Sequence, residues 1–127
     1  MRKTFTVKAL IVGAVVVLAS LPGMATPPSF QIIIESGSPY FLPVSAQVVA
    51  GAPIRWENPT PSYHTVTHDG CVLEEGPCAF DSGSLAPNGS YSLPGLGPGQ
   101  YPYHCRLHPI MRGVLTVVDP LSAPSQT

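Results

Sequence analysis

Past residue 25, hydrophobic positions recur in short runs, several with a period of two, and nowhere with the sustained period of a helix. Phe30-Gln31-Ile32-Ile33-Ile34-Glu35 is short and β-branched, the make-up of a buried strand. Ile54-Arg55-Trp56-Glu57-Asn58 alternates apolar with polar, which predicts a half-buried strand with Trp56 in the core. His64-Thr65-Val66-Thr67-His68 alternates again, so it reads as a strand with Thr65 and Thr67 facing opposite to Val66. Ala46–Val49, Ser90–Leu93, Gln100–Cys105 and Val114–Val118 complete the strand set. Phe41 and Leu42 are apolar but bracketed by Pro39 and Pro43, which favours an edge position. Ala50-Gly51-Ala52-Pro53, Asn88-Gly89 and Pro94–Gly99 are turn signals between the runs. Short strands separated this way predict an all-β sandwich. Sixteen prolines and twelve glycines agree with a loop-rich β chain.

The first 25 residues follow a different pattern. Arg2, Lys3 and Lys8 precede the apolar stretch Ala9–Leu18, and Gly23-Met24-Ala25 ends in small residues. That is the layout of a cleavable signal peptide. Pro22 and Gly23 interrupt the run before the roughly 20 apolar residues that a spanning helix needs; the alternative is an uncleaved N-terminal anchor. The expected organisation is a leader over 1–25, a linker over 26–30, one domain over 31–119 and a disordered Pro/Ser tail over 120–127. The protein is therefore expected to be exported, to the periplasm or the outer face of the membrane.

Charge excludes more than it identifies. After residue 25, three arginines (Arg55, Arg106, Arg112) stand against seven acids, a formal charge of −4. No basic face is available for nucleic acid. Three cysteines are an odd set for an exported chain. Cys105 has His and Met neighbours at ligand spacing, which leaves Cys71 and Cys78 to pair. Closing that short loop contributes about 2.5 kcal/mol on a chain-entropy basis; two separate reduced thiols are the alternative.

The chemistry gathers in Tyr101-Pro102-Tyr103-His104-Cys105-Arg106-Leu107-His108-Pro109-Ile110-Met111-Arg112-Gly113. Cys105, His108 and Met111 follow one another at three-residue steps, and His64 lies 41 residues before Cys105. One thiolate, two imidazoles and a weak thioether are the ligand set of a blue-copper site. His104 and His68 read as surface residues off the metal: His104 because it neighbours Cys105 along a strand, His68 because four extended residues separate it from His64 by about 13 Å.

The Cys-x-x-His-Pro-x-Met-x-Gly run of residues 105–113, followed by a last strand over 114–118, resembles the copper loop of the cupredoxins. These are small blue copper proteins, and the plastocyanin and amicyanin branch is nearest in pattern. Val49–Asn58 is similar to the strand that precedes the first His ligand there. The resemblance covers residues 31–119. It implies a Greek-key β-sandwich with one type 1 copper ion at one end, held by His64, Cys105, His108 and Met111. It also implies that the residue after the first His, here Thr65 in place of the usual Asn, ties the two ligand loops together. Asn58 is a further candidate to support the His64 loop.

The expected function is single-electron transport between redox proteins, with electrons passing through the His108 ring edge. Leu107, Pro109 and Ile110 would form a small apolar surface for transient docking, and a monomer is expected. The competing reading is a periplasmic copper carrier or store that delivers metal. An enzyme is not expected, because no paired carboxylates or nucleophile–base set is evident, and no nucleophile elbow surrounds Ser82 in Asp81-Ser82-Gly83.

Overall fold

Strands follow one another in the order β1 Phe30–Ile34, β2 Phe41–Leu42, β3 Ser45–Val49, β4 Ile54–Glu57, β5 Thr67–His68, β6 Ser90–Leu93, β7 Gly99–His104 and β8 Arg112–Val118, with a 3-10 turn at Asp69–Cys71. They are seen in a computed structural model that describes residues 28–73 and 76–121, together with Gly13. The expected leader and the end of the expected tail, 122–127, lie outside the described residues. Among the described residues no helix is long and apolar enough to cross a membrane.

Two four-stranded sheets face each other, ordered β2-β1-β4-β6 and β3-β8-β7-β5. Each is mixed: β1 runs parallel to β4, and β3 parallel to β8. The chain therefore crosses between sheets from β2 to β3, β3 to β4, β4 to β5, β5 to β6 and β6 to β7. Only β1–β2 and β7–β8 are consecutive antiparallel neighbours. The prolines act as expected, since β2 is two residues long and lies at the edge of its sheet.

Alternation decides what goes inside. Ile32 and Ile34, Ile54 and Trp56, Ala46 and Val48, and Leu115 and Val117 all point into the core. Arg55 and Glu57 take the outer face of β4 as a half-exposed pair, Nε to Oε1 3.1 Å, of small energetic value. Trp56 is fully buried and meets Tyr103 edge-on, with ring centroids 5.6 Å apart. Phe41 packs against Tyr103 in the same way at 4.8 Å. Each such ring contributes about 1.5–3 kcal/mol by leaving water. Burial pushes the Tyr103 phenol up to about 12, so this ring is neutral throughout the physiological range. Tyr103 lies opposite Gly113 in the β7–β8 pairing, and a Cβ at Gly113 would run into the Tyr103 ring and hydroxyl. Glycine is there because the aromatic ring needs the space.

Candidate metal centre

Two loops meet at one end of the sandwich, and each is pinned by its own backbone. In the β7–β8 loop, Cys105 N–H donates to Met111 O at 3.1 Å, and Met111 N–H donates to His108 O at 2.8 Å. These bonds fold the three-residue steps of the sequence into one tight turn. On the other side, His64 is paired with Leu85 through both backbone groups: His64 N–H to Leu85 O is 3.1 Å, and Leu85 N–H to His64 O is 2.7 Å. His64 thus sits in a single bridge and not in the strand its alternating neighbourhood predicts. Strand pairing begins only at Thr67. Thr65 and Val66 are both buried, which an alternating strand with one solvent face would not allow.

Asn58 organises the His64 loop. Its Nδ2 faces Ser62 O at 2.8 Å and the carbonyls of Leu85 and Ala86 at 3.1 Å each. Its Oδ1 accepts from Thr60 N–H at 3.1 Å and from Thr60 Oγ1 at 2.7 Å. The expected Asn-Gly turn closes onto the same residue, Asn58 N–H donating to Gly89 O at 2.9 Å. Thr60 Oγ1 in turn lies 3.0 Å from His64 Nε2. Asn58 Oδ1 can only accept, and at 2.7 Å it takes the Thr60 hydroxyl proton, so none is left for His64 Nε2. The Thr60 oxygen therefore accepts from His64 Nε2–H, which leaves His64 Nδ1 unprotonated. Burial, and secondarily the neighbouring His108, lower the His64 imidazole below the ordinary histidine value.

That free Nδ1 lies 3.9 Å from Cys105 Sγ, and His108 Nδ1 lies 3.8 Å from the same sulfur. The donor atoms of His64, Cys105 and His108 are all within 4.8 Å of one another, so one ion with bonds of about 2.0–2.3 Å could touch all three. The imidazole held through Nε2 is the arrangement that metal-binding histidines require. Met111, in the same loop, is 1 % exposed. The residues fit a copper ion by donor chemistry as well, since thiolate and imidazole together suit this metal.

Thr65 does physically join the loops. Its N–H donates to Cys105 Sγ at 3.3 Å, and its Oγ1 accepts from Arg106 N–H at 2.8 Å. The Thr hydroxyl is long enough to reach the backbone beyond the cysteine. Leu107, His108, Pro109 and Ile110 are exposed, with Ile110 at 74 %. Tyr63, beside His64 in sequence, is also exposed, and its lack of period or charge gave the sequence reading no reason to select it.

Cys71 and Cys78 are joined in a disulfide, and Cys105 is a free, buried thiol. The disulfide-closed loop overturns the surface reading of His68. That ring is buried, packs on Phe80 and Tyr101 at 5.5 Å each, and accepts Ala79 N–H on Nδ1 at 3.1 Å. His104 is not a free surface residue either. Its Nδ1 lies 2.6 Å from Asp69 Oδ1, with the side chain 12 % exposed. Both histidines support the disulfide loop and stand apart from the donor group.

The sequence matches no family profile and no curated protein. Among solved structures, the fold is similar to a methionine variant of amicyanin in the Cu(I) state, at 27 % identity over 71 % of this chain and 82 % of that one, with a TM-score of 0.61. It is also similar to a reduced proline variant of amicyanin at 28 % identity, with the same coverage and a TM-score of 0.59. The chain has the cupredoxin fold, with a His64, Cys105 and His108 cluster typical of a cupredoxin copper site. A purple cupredoxin from Nitrosopumilus maritimus shares the fold over its whole length, at 22 % identity and a TM-score of 0.59. The three donors could hold a metal ion, and with this fold they support a blue copper electron-transfer protein.

Proposed function

We propose that this protein is a cupredoxin, an exported carrier that takes one electron from a redox protein and passes it to another, with His64, Cys105, His108 and Met111 as the copper ligands. Copper supplies the one-electron Cu(II)/Cu(I) chemistry. The residues supply a fixed frame: His64 is oriented by Thr60 and Asn58, Cys105 is held by the Thr65 N–H, and Met111 would offer its thioether as a weak further donor. Export rests on the basic-then-apolar leader pattern of residues 1–25.

One observation carries the route of the electron. Of the three clustered donors, His64 and Cys105 are buried and His108 is exposed. An imidazole that reaches from the donor group to the surface offers the shortest path out. It is surrounded by Leu107, Pro109 and Ile110, an apolar collar suited to brief contacts of small area. Electron self-exchange between two copies tests this without knowledge of the partner. Ile110→Lys should slow the second-order self-exchange rate at least about tenfold by like-charge repulsion and lost apolar contact, with the reduction potential unchanged. An unchanged rate would place the exit elsewhere.

A further inference from the structure

Beneath the Thr65 tie runs a chain of hydroxyls whose direction can be worked out from its two ends. Thr65 Oγ1 lies 2.9 Å from Thr67 Oγ1, and Thr67 Oγ1 lies 3.0 Å from Asp81 Oδ1. At one end Arg106 N–H reaches Thr65 Oγ1, and a backbone N–H can only donate. At the other end Asp81, when ionised, can only accept. Thr67 must therefore give its proton to Asp81, and Thr65 must give its proton to Thr67. The Thr65 oxygen is left with lone pairs for Arg106 N–H. The reverse order would put two donors head to head at Arg106.

Asp81 is itself well fixed. Gly83 N–H donates to Oδ1 at 3.0 Å, and the Arg106 guanidinium donates to Oδ2 at 2.9 Å. The ring thus closes on the residue after Cys105, once through its backbone and once through its side chain. Thr65 and Thr67 are buried, so water does not compete for these bonds and each polarises the next. Burial raises the Asp81 carboxyl, but the Gly83, Thr67 and Arg106 contacts outweigh it and hold the group below the usual carboxylate value.

We propose that Asp81 is a positioning residue for the copper thiolate: through Thr67 and Thr65 it orients the hydroxyl chain that holds the Arg106 backbone and keeps the Thr65 N–H on Cys105 Sγ. Hydrogen bonding at the cysteine sulfur tunes the potential of such a site. A firm N–H bond stabilises charge on sulfur and favours Cu(I); a loosened one lowers the potential. The inference rests on the assignment of Cys105 as a copper ligand, but the orientation of the chain does not.

The test compares Asp81→Ala with Asp81→Asn in the full chain, with and without copper. Both remove the carboxylate charge, but the Asn carbonyl can still accept from Thr67 and Gly83. Thr65 and Arg106 amides should exchange with solvent about tenfold faster in the Ala variant, the equivalent of losing one hydrogen bond, and near the wild-type rate in the Asn variant. The copper-loaded Ala variant should have the lower potential of the two. Equal potentials would overturn the proposal. If the chain bound no copper, the metal-free exchange rates alone would decide, and equal rates would overturn the oriented chain. Should Asp81→Ala not fold, Thr67→Val against Thr67→Ser makes the same comparison, with Ser retaining the relay and Val showing fast exchange.

Discussion

His64 Nε2 lies 3.0 Å from Thr60 Oγ1, and this contact decides which nitrogen of His64 faces the metal-binding space. Because Thr60 gives its proton to Asn58, it can only accept from His64. The tautomer is thus set by a loop whose five residues from Asn58 to Ser62 contain two prolines.

Asn58 should tolerate no charge. In Asn58→Asp an oxygen would replace Nδ2 against the carbonyls of Ser62, Leu85 and Ala86. The expected loss is about 3 kcal/mol or more, because a buried charge is left facing acceptors. The variant should recover stability in acid, where its carboxyl protonates and can donate. Urea unfolding of the metal-free protein at pH 7 and pH 4 measures both effects.

His64 should resist protonation in the metal-free protein. Its folded value lies below the ordinary 6.5, so the unfolded chain binds this proton more readily than the folded one. The sign follows: the His64 contribution to stability is intact above pH 6.5 and is lost as pH falls from there towards the folded value. An NMR titration that found His64 above 6.5 would contradict the burial argument.

Gly113→Ala should destabilise by about 1–3 kcal/mol, the usual cost of overpacking. The added methyl has no room beside the Tyr103 ring, and Tyr103 is wedged against Phe41 and Trp56. A melting curve gives the answer, with Gly97→Ala, where a Cβ meets nothing, as the matched control.

Much of this was readable from the chain. The Cys105, His108 and Met111 steps are local, so sequence spacing is nearly spatial spacing. Trp56 was placed in the core by a clean period of two, and the prolines around Phe41 marked an edge. The failures share one physical cause. His68 is buried by a loop that closes 10 residues later at Cys78, and His104 is held by Asp69 from 35 positions away. Alternation along a strand reports which face a residue takes, but not what another segment lays over that face. Thr60, Thr67 and Asp81 escaped for the same reason, since their roles exist only once three loops are brought together.

Met111 should tune the potential more than it retains the metal. A thioether is a weak axial donor that favours Cu(I). Met111→Gln, with a harder oxygen donor, should lower the potential while copper stays bound, as read by voltammetry and metal analysis. Copper loss with an unchanged potential in the remaining holoprotein would argue against an axial role.

The most direct test of a blue copper centre at His64, Cys105, His108 and Met111 is the visible spectrum of the protein loaded with Cu(II). An intense thiolate-to-copper band towards the red end of the visible is expected, abolished in Cys105→Ser while the fold is retained. It should bleach on one-electron reduction. A colourless Cu(II)-loaded protein, or an equally intense band in Cys105→Ser, would contradict the assignment.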